Sequence, residues 1–268
     1  MTNGYMNFIP YVCCGDPSIE FTEKLIRTLA PHSDIIELGI PFSDPIADGK
    51  TIQAAANRAL ANGVTVEKIF GMVERLRANG TDGNVVVPLV FMTYFNIVYA
   101  YGREKFLKRM KEAGVQGLII PDLPFGEDLE FESLAKSHGI SIINLIAPNT
   151  TDERAKQILE KSRNTNALFT YLVSNAGTTG TRDSVSLESI EFVKRIRMLA
   201  GNGNINRLCV GFGISTKEQA DAYIKAGADG VIVGSRIIEL YSKHTKPEDT
   251  LKEIENFARG FKNPSKPN

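Results

Sequence analysis

Short β-rich runs alternate with amphipathic helical stretches eight times along the 268 residues, and no low-complexity linker separates them. The runs are Phe8 to Cys13, Ile35 to Leu38, Val85 to Met92, Gly117 to Ile120, Ser141 to Ile146, Ala167 to Val173, Leu208 to Gly211 and Gly230 to Val233. Eight such units in about 250 residues meet the requirement of a closed barrel. A doubly wound open sheet usually has fewer strands and opens with a Gly-x-Gly-x-x-Gly turn. Here the first run passes into Cys13-Cys14-Gly15-Asp16-Pro17 instead. The pattern predicts an α/β chain in which residues 1–268 form a single (β/α)8 TIM barrel.

Helices fill the gaps: Val66, Ile69, Phe70, Val73 and Leu76 recur at helical spacing. Ser/Thr-x-x-Glu capping boxes at Thr150 with Glu153 and Ser215 with Glu218 mark two further helix starts. With 43% hydrophobic residues and 31 basic against 31 acidic side chains, the balance of charge argues against nucleic acid or an anionic membrane bound through overall charge. No apolar stretch approaches the ~20 residues that span a bilayer. The start lacks the basic end and apolar core of a secretory signal, so a cytoplasmic location is expected. Cys13, Cys14 and Cys209, with His32, His138 and His244, show no metal-ligand spacing, so no metal is expected.

In a barrel the reacting groups lie at the carboxyl ends of the strands. Asp16, Glu37, Asp48, Tyr94, Asn96, Asp122, Asn149 and Ser174 gather there, most of them as loop hydrogen-bonders. Glu37 takes the last polar position of the run Ile35-Ile36-Glu37-Leu38-Gly39, sharing a face with Ile35. It is either a salt-bridged strand-end glutamate or a desolvated acid whose raised proton affinity suits a general acid near neutrality. The following loop, Pro41 to Gly49, is stiffened by Pro41 and Pro45 and carries Asp44 and Asp48, which favours an acid/base pair over a pocket.

Two late loops carry a second signal. Gly211-Phe212-Gly213-Ile214-Ser215 follows the seventh strand and Gly234-Ser235 the eighth, each leading into a helix. Either these glycines only make tight turns, or their backbone amides cradle a phosphate, which barrels frequently bind at these two loops; the two loops together favour phosphate. A third loop, Ser174 to Ser184, is small and polar, either a lid or an ordinary exposed loop.

Gly15-Asp16-Pro17, the stretch from Glu37 to Gln53, Pro121-Asp122-Leu123-Pro124, Ser174 to Gly180, Gly211 to Ser215 and Val233-Gly234-Ser235 together resemble the tryptophan synthase alpha subunit family. The resemblance runs in order over nearly the whole chain. It implies retro-aldol cleavage of indole-3-glycerol phosphate to indole and glyceraldehyde 3-phosphate, with no metal or organic cofactor in this chain. By match to the family motif, Glu37 and Asp48 are the catalytic pair: Glu37 protonates indole C3 and assists removal of the glycerol hydroxyl proton, while Asp48 holds the indole N–H. The same transfer puts phosphate on Gly180, Gly213, Gly234 and Ser235, with Tyr94, Tyr171, Phe212 and Thr179 around the indole. It also implies a beta subunit carrying pyridoxal phosphate, in an α2β2 assembly.

The chain departs from the family pattern at Lys50, where proline is frequent, at Ile97 after Asn96, and at Thr178 in the strand-six loop. The amino terminus leaves little room for a helix before the first strand. Two other readings keep the barrel: a stand-alone indole-releasing lyase and a non-catalytic phosphosugar-binding protein.

Overall fold

The computed structural model describes residues 6–78, 83–174, 185–201, 207–211, 213–243 and 246–262. The first half contains β1 (Asn7–Cys13), α1 (Ile19–Leu29), β2 (Ile36–Gly39), α2 (Lys50–Ala61), α3 (Val66–Arg77), β3 (Leu89–Met92), α4 (Phe95–Tyr101), α5 (Arg103–Ala113), β4 (Gly117–Ile119) and α6 (Leu129–Ser137). The second contains β5 (Ser141–Ile142), β6 (Leu145–Ile146), α7 (Asp152–Asn164), β7 (Thr170–Val173), α8 (Leu187–Ala200), β8 (Leu208–Gly211), α9 (Lys217–Lys225), β9 (Gly230–Val233), α10 (Ser235–Lys243) and α11 (Pro247–Lys262).

Among the described residues every strand pairing is parallel, in the order β5-β4-β3-β2-β1-β9-β8-β7-β6. The two outer members, β5 and β6, are consecutive in the chain with only Ile143 and Asn144 between them. They are two halves of one stave, and the eight staves close a barrel. The first half bonds to β4, the second to β7: Ile143 N donates to Leu118 O at 3.0 Å, and Tyr171 N to Asn144 O at 3.0 Å. A stave inclined to its neighbours meets each of them along only part of its length.

Strands β2, β3, β4, β8 and β9 are buried along their whole length, as strands covered on both faces must be. Two runs are shorter than the pattern predicts. Before β3, the Arg77 guanidinium takes the carbonyls of Val85 and Val87, and Pro88 has no N–H, so no ladder forms there. Before β7, Ala167 N still bonds Ser162 O at the end of α7, and Leu168 N bonds the Ser141 hydroxyl.

Helix α3 buries Ile69, Phe70, Val73 and Leu76 of the predicted stripe, and Val66 at its start is half-buried. Both helix caps lie one residue further on than predicted, and only the second is a capping box. Thr151 Oγ1 accepts from Arg154 N, while Thr150 Oγ1 turns back to Ala147 N. Thr216 with Gln219 forms the box on α9. The start of β1 is covered by α11, with Phe261 stacked on Phe8 at 4.7 Å and Lys262 Nζ on Asp34 Oδ2 at 2.8 Å.

Candidate active site

Register sets Tyr11, Glu37 and Val90 side by side on β1, β2 and β3. On the other side, Leu145, Tyr171 and Cys209 share a row on β6, β7 and β8. Glu37 raises the proton affinity of both Tyr11 and Tyr171, so the two rows face each other across the interior. A glutamate in this row has no access to water, and Glu37 is 1% exposed. Among the described residues neither of its carboxylate oxygens has a hydrogen-bond partner. Among the described residues no cation pairs with Glu37, which favours the desolvated-acid reading over the salt-bridged one. Desolvation, with a smaller push from the Asp48 charge, raises its pKa to about 8, so it holds its proton at neutral pH.

Asp48 reaches the same space from a tethered loop. Tyr94, the residue preceding α4, donates its hydroxyl to Asp48 Oδ2 at 3.1 Å and accepts from Ala47 N at 2.9 Å. Phe42 stacks on the Tyr94 ring with centroids 5.1 Å apart. Gln53, one turn into α2, donates to the carbonyls of Asp48 and Pro45. Burial raises Asp48 to about 6 while the Tyr94 hydrogen bond opposes the shift. Asp48 also precedes Gly49, the N-cap of α2, where the helix dipole favours a negative charge. The two carboxyls thus titrate on either side of neutrality, one able to donate a proton and one able to hold a positive charge.

At the two late glycine loops, Gly213 adopts φ +77°, a left-handed conformation that favours glycine. The amides that open α9 are already occupied, since Gln219 Oε1 accepts from both Ser215 N and Thr216 N. Helix α10 begins directly after β9, and its first intrahelical bonds run from Ile237 N and Ile238 N to Gly234 O. The amide groups of Ser235 and Arg236 precede that first turn and point along its positive end. A Cβ on Gly234 would lie 3.1 Å from the Tyr11 ring, so the glycine lets that loop approach the interior. Gly180, Phe212 and Thr179 lie outside the described residues, as does most of the proposed lid.

The other polar candidates fall to structural tasks. Asp16, fully buried, accepts two bonds from Arg58 and one from the Tyr241 hydroxyl, locking β1 to α2 and α10. Asp122 Oδ1 accepts from Phe95 N at the start of α4. Ser174 donates to Gly211 O, and Asn96 and Asn149 are exposed. Tyr11 is the residue that the sequence did not single out. Its hydroxyl is seated against Gly39 so closely that a Cβ there would stand 2.0 Å from it, and Tyr171 sits on Gly211 in the same way, at 2.1 Å. The signal was a tyrosine two residues after Ile9 and two before Cys13 on the interior side of an apolar strand.

Among the described residues no three His, Cys, Asp or Glu side chains stand close enough to hold a metal ion, and no helix is long and apolar enough to cross a membrane.

The sequence model of the family described as tryptophan synthase alpha chain matches residues 1–266. The tryptophan synthase alpha chain of Methanocaldococcus jannaschii is 42% identical over 254 residues, 95% of this chain and 86% of that protein. That of Methanosarcina mazei is 44% identical over 255 residues, 95% and 87%. A chain of the tryptophan synthase complex from Pyrococcus furiosus superposes with a TM-score of 0.82 at 34% identity, covering 96% of this chain and 97% of its own. Matched along nearly its whole length in both sequence and barrel, this chain belongs to the tryptophan synthase alpha chain family, a family of enzymes.

Proposed function

We propose that the protein cleaves indole-3-glycerol phosphate to indole and glyceraldehyde 3-phosphate by a retro-aldol reaction. The observation that carries this reading is Glu37, buried and without a hydrogen-bond partner among the described residues, with a pKa that burial raises to about 8 against about 6 for Asp48.

Glu37 donates its proton to indole C3, and the positive charge that develops on the ring nitrogen is held by Asp48 through the N–H. The Glu37 carboxylate so formed takes the proton of the glycerol hydroxyl. The carbon–carbon bond then breaks, its electrons restoring the indole and leaving an aldehyde. Glu37 ends protonated and ready for another turn, which a group titrating near pH 8 does efficiently. Low-dielectric surroundings strengthen the Asp48 contribution. The phosphate lies on Gly213, Gly234 and Ser235, with Gly180 completing the cradle; Tyr94, Tyr171, Phe212 and Thr179 surround the indole. This chain supplies no cofactor. A beta subunit carrying pyridoxal phosphate receives the indole, in an α2β2 assembly.

A second reading, turnover without a partner, is favoured by one observation: Tyr94 already fastens Ala47 and Asp48 within the single chain. The test is release of glyceraldehyde 3-phosphate from indole-3-glycerol phosphate, with and without a beta subunit, and with Glu37→Gln as control. Turnover that rises with the partner and vanishes in the variant supports the synthase reading. A partner-independent rate supports the stand-alone lyase, and no turnover in either case rejects both.

A further inference from the structure

A cavity of about 260 Å³ lies outside the barrel, between α6 and α7, against the split stave β5–β6 and away from Glu37. Helix α6 packs on α5 and α7 on α8, and the gap between them is bridged by Lys161 Nζ on Glu132 Oε2 at 2.7 Å. That contact is an ion pair without hydrogen-bond geometry: Glu132 Oε2 is buried and makes no hydrogen bond among the described residues. Glu132 is only 9% exposed, and its other oxygen accepts from Gly126 N in the β4–α6 loop.

The third polar group is Asn144. Leu145, its neighbour, shares the interior row with Tyr171, so Asn144 points outward, into the cavity. It is 8% exposed and lines the cavity beside Glu132 and Lys161. A buried polar atom left without a hydrogen bond costs about 1–3 kcal/mol, so Glu132 Oε2 marks a place where a polar ligand gains from binding. Ile140, Ile142 and Leu168 give the cavity an apolar side.

We propose that this cavity binds a small α-amino acid as its zwitterion. The charges decide among ligand classes. A simple anion drawn to Lys161 and Lys136 meets the Glu132 carboxylate, and a simple cation drawn to Glu132 meets two ammonium groups. A zwitterion replaces the single misaligned pair by two pairs, its ammonium on Glu132 and its carboxylate on Lys161, with the Asn144 amide donating to the carboxylate and the side chain on the isoleucines. The volume is just below that of pockets for drug-sized molecules, which begin at about 300 Å³, and suits one amino acid.

The experiment is thermal unfolding and calorimetric titration of the full chain with L-leucine, L-methionine and L-phenylalanine. Isopentylamine and 4-methylpentanoate, each carrying one of leucine's two charges, serve as controls. A saturable rise in Tm with at least one amino acid and with neither control is expected. Asn144→Leu, which removes the amide donor, and Lys161→Met each weaken binding about tenfold or more, the effect of one lost hydrogen bond to a charged group. Glu37→Gln leaves binding unchanged, which separates this site from the barrel mouth. No shift with any of the three at 10 mM, an equal shift with the amine or the carboxylate, or binding retained in both cavity variants would overturn the proposal.

Discussion

Replacing Glu37 by glutamine should make the protein more stable while it abolishes turnover, and the gain should depend on pH. The carboxyl titrates near 4.5 when exposed and near 8 in the folded chain. Between those values the folded state binds more protons than the unfolded one, so stability falls as pH rises through 4.5 and levels off above 8. At pH 5 this opposes folding by about 1 kcal/mol; at pH 7, at 1.36 kcal/mol per unit, by about 3 kcal/mol. Glutamine fills nearly the same space and never ionises. Wild type and Glu37→Gln should therefore have stabilities that diverge by about 2 kcal/mol between pH 5 and pH 7, the variant being the more stable. Urea unfolding at pH 5, 6, 7 and 8 measures this directly, and glyceraldehyde 3-phosphate release should drop about 10²- to 10⁴-fold. Parallel stability curves for the two proteins would refute the account of Glu37 as a buried acid titrating above neutrality.

The pH dependence of kcat/KM should be a bell bounded by about 6, where Asp48 must be ionised, and about 8, where Glu37 must keep its proton. Tyr94→Phe removes a hydrogen bond that holds Asp48 down, so the acidic limb should move to higher pH while the loop loses about 1 kcal/mol of tethering. Gly39→Ala forces a methyl group against the Tyr11 hydroxyl and should cost about 1–3 kcal/mol in urea unfolding, recovered in part by Tyr11→Leu; equal losses in single and double variants would exclude that contact. Asp16→Ala leaves the half-exposed Arg58 guanidinium and the buried Tyr241 hydroxyl without their acceptor and should lower stability by about 1–3 kcal/mol, with Glu37 and Asp48 still in place.

The eight staves were readable because a strand covered on both faces must be a short apolar run, and only helices carry the chain between parallel neighbours. What could not be read was where the ladder ends. Val85 and Val87 have strand composition, but Arg77, at the end of the preceding helix, claims their carbonyls. Two adjacent threonines, Thr150 and Thr151, offer equivalent caps, and only the path of the loop decides that Thr151 serves the helix. At the barrel mouth, Glu37 and Asp48 stood out because carboxylates at a strand end and in a proline-stiffened loop are chemically unusual. The partners that give them different pKa values come from elsewhere: Tyr94 from the next stave, and the desolvating wall from the whole interior. Asp16 shows the limit of the same logic, since the carboxylate most firmly buried at a strand end is held by Arg58 and Tyr241, 42 and 225 residues away.

The divided stave gives the barrel a seam. On one side β5 is held to β4 through Ser141 and Ile142, on the other β6 to β7 through Leu145 and Ile146, whereas β1 shares longer ladders with both β2 and β9. Opening at residues 141–146 breaks few backbone bonds and leaves two arcs of staves, still joined at β1, each covered by its own helices. Hydrogen exchange should find the amides of Ile143 and Tyr171 released at lower free energy than those of β1, making the cylinder a hinged sheet rather than a uniform ring.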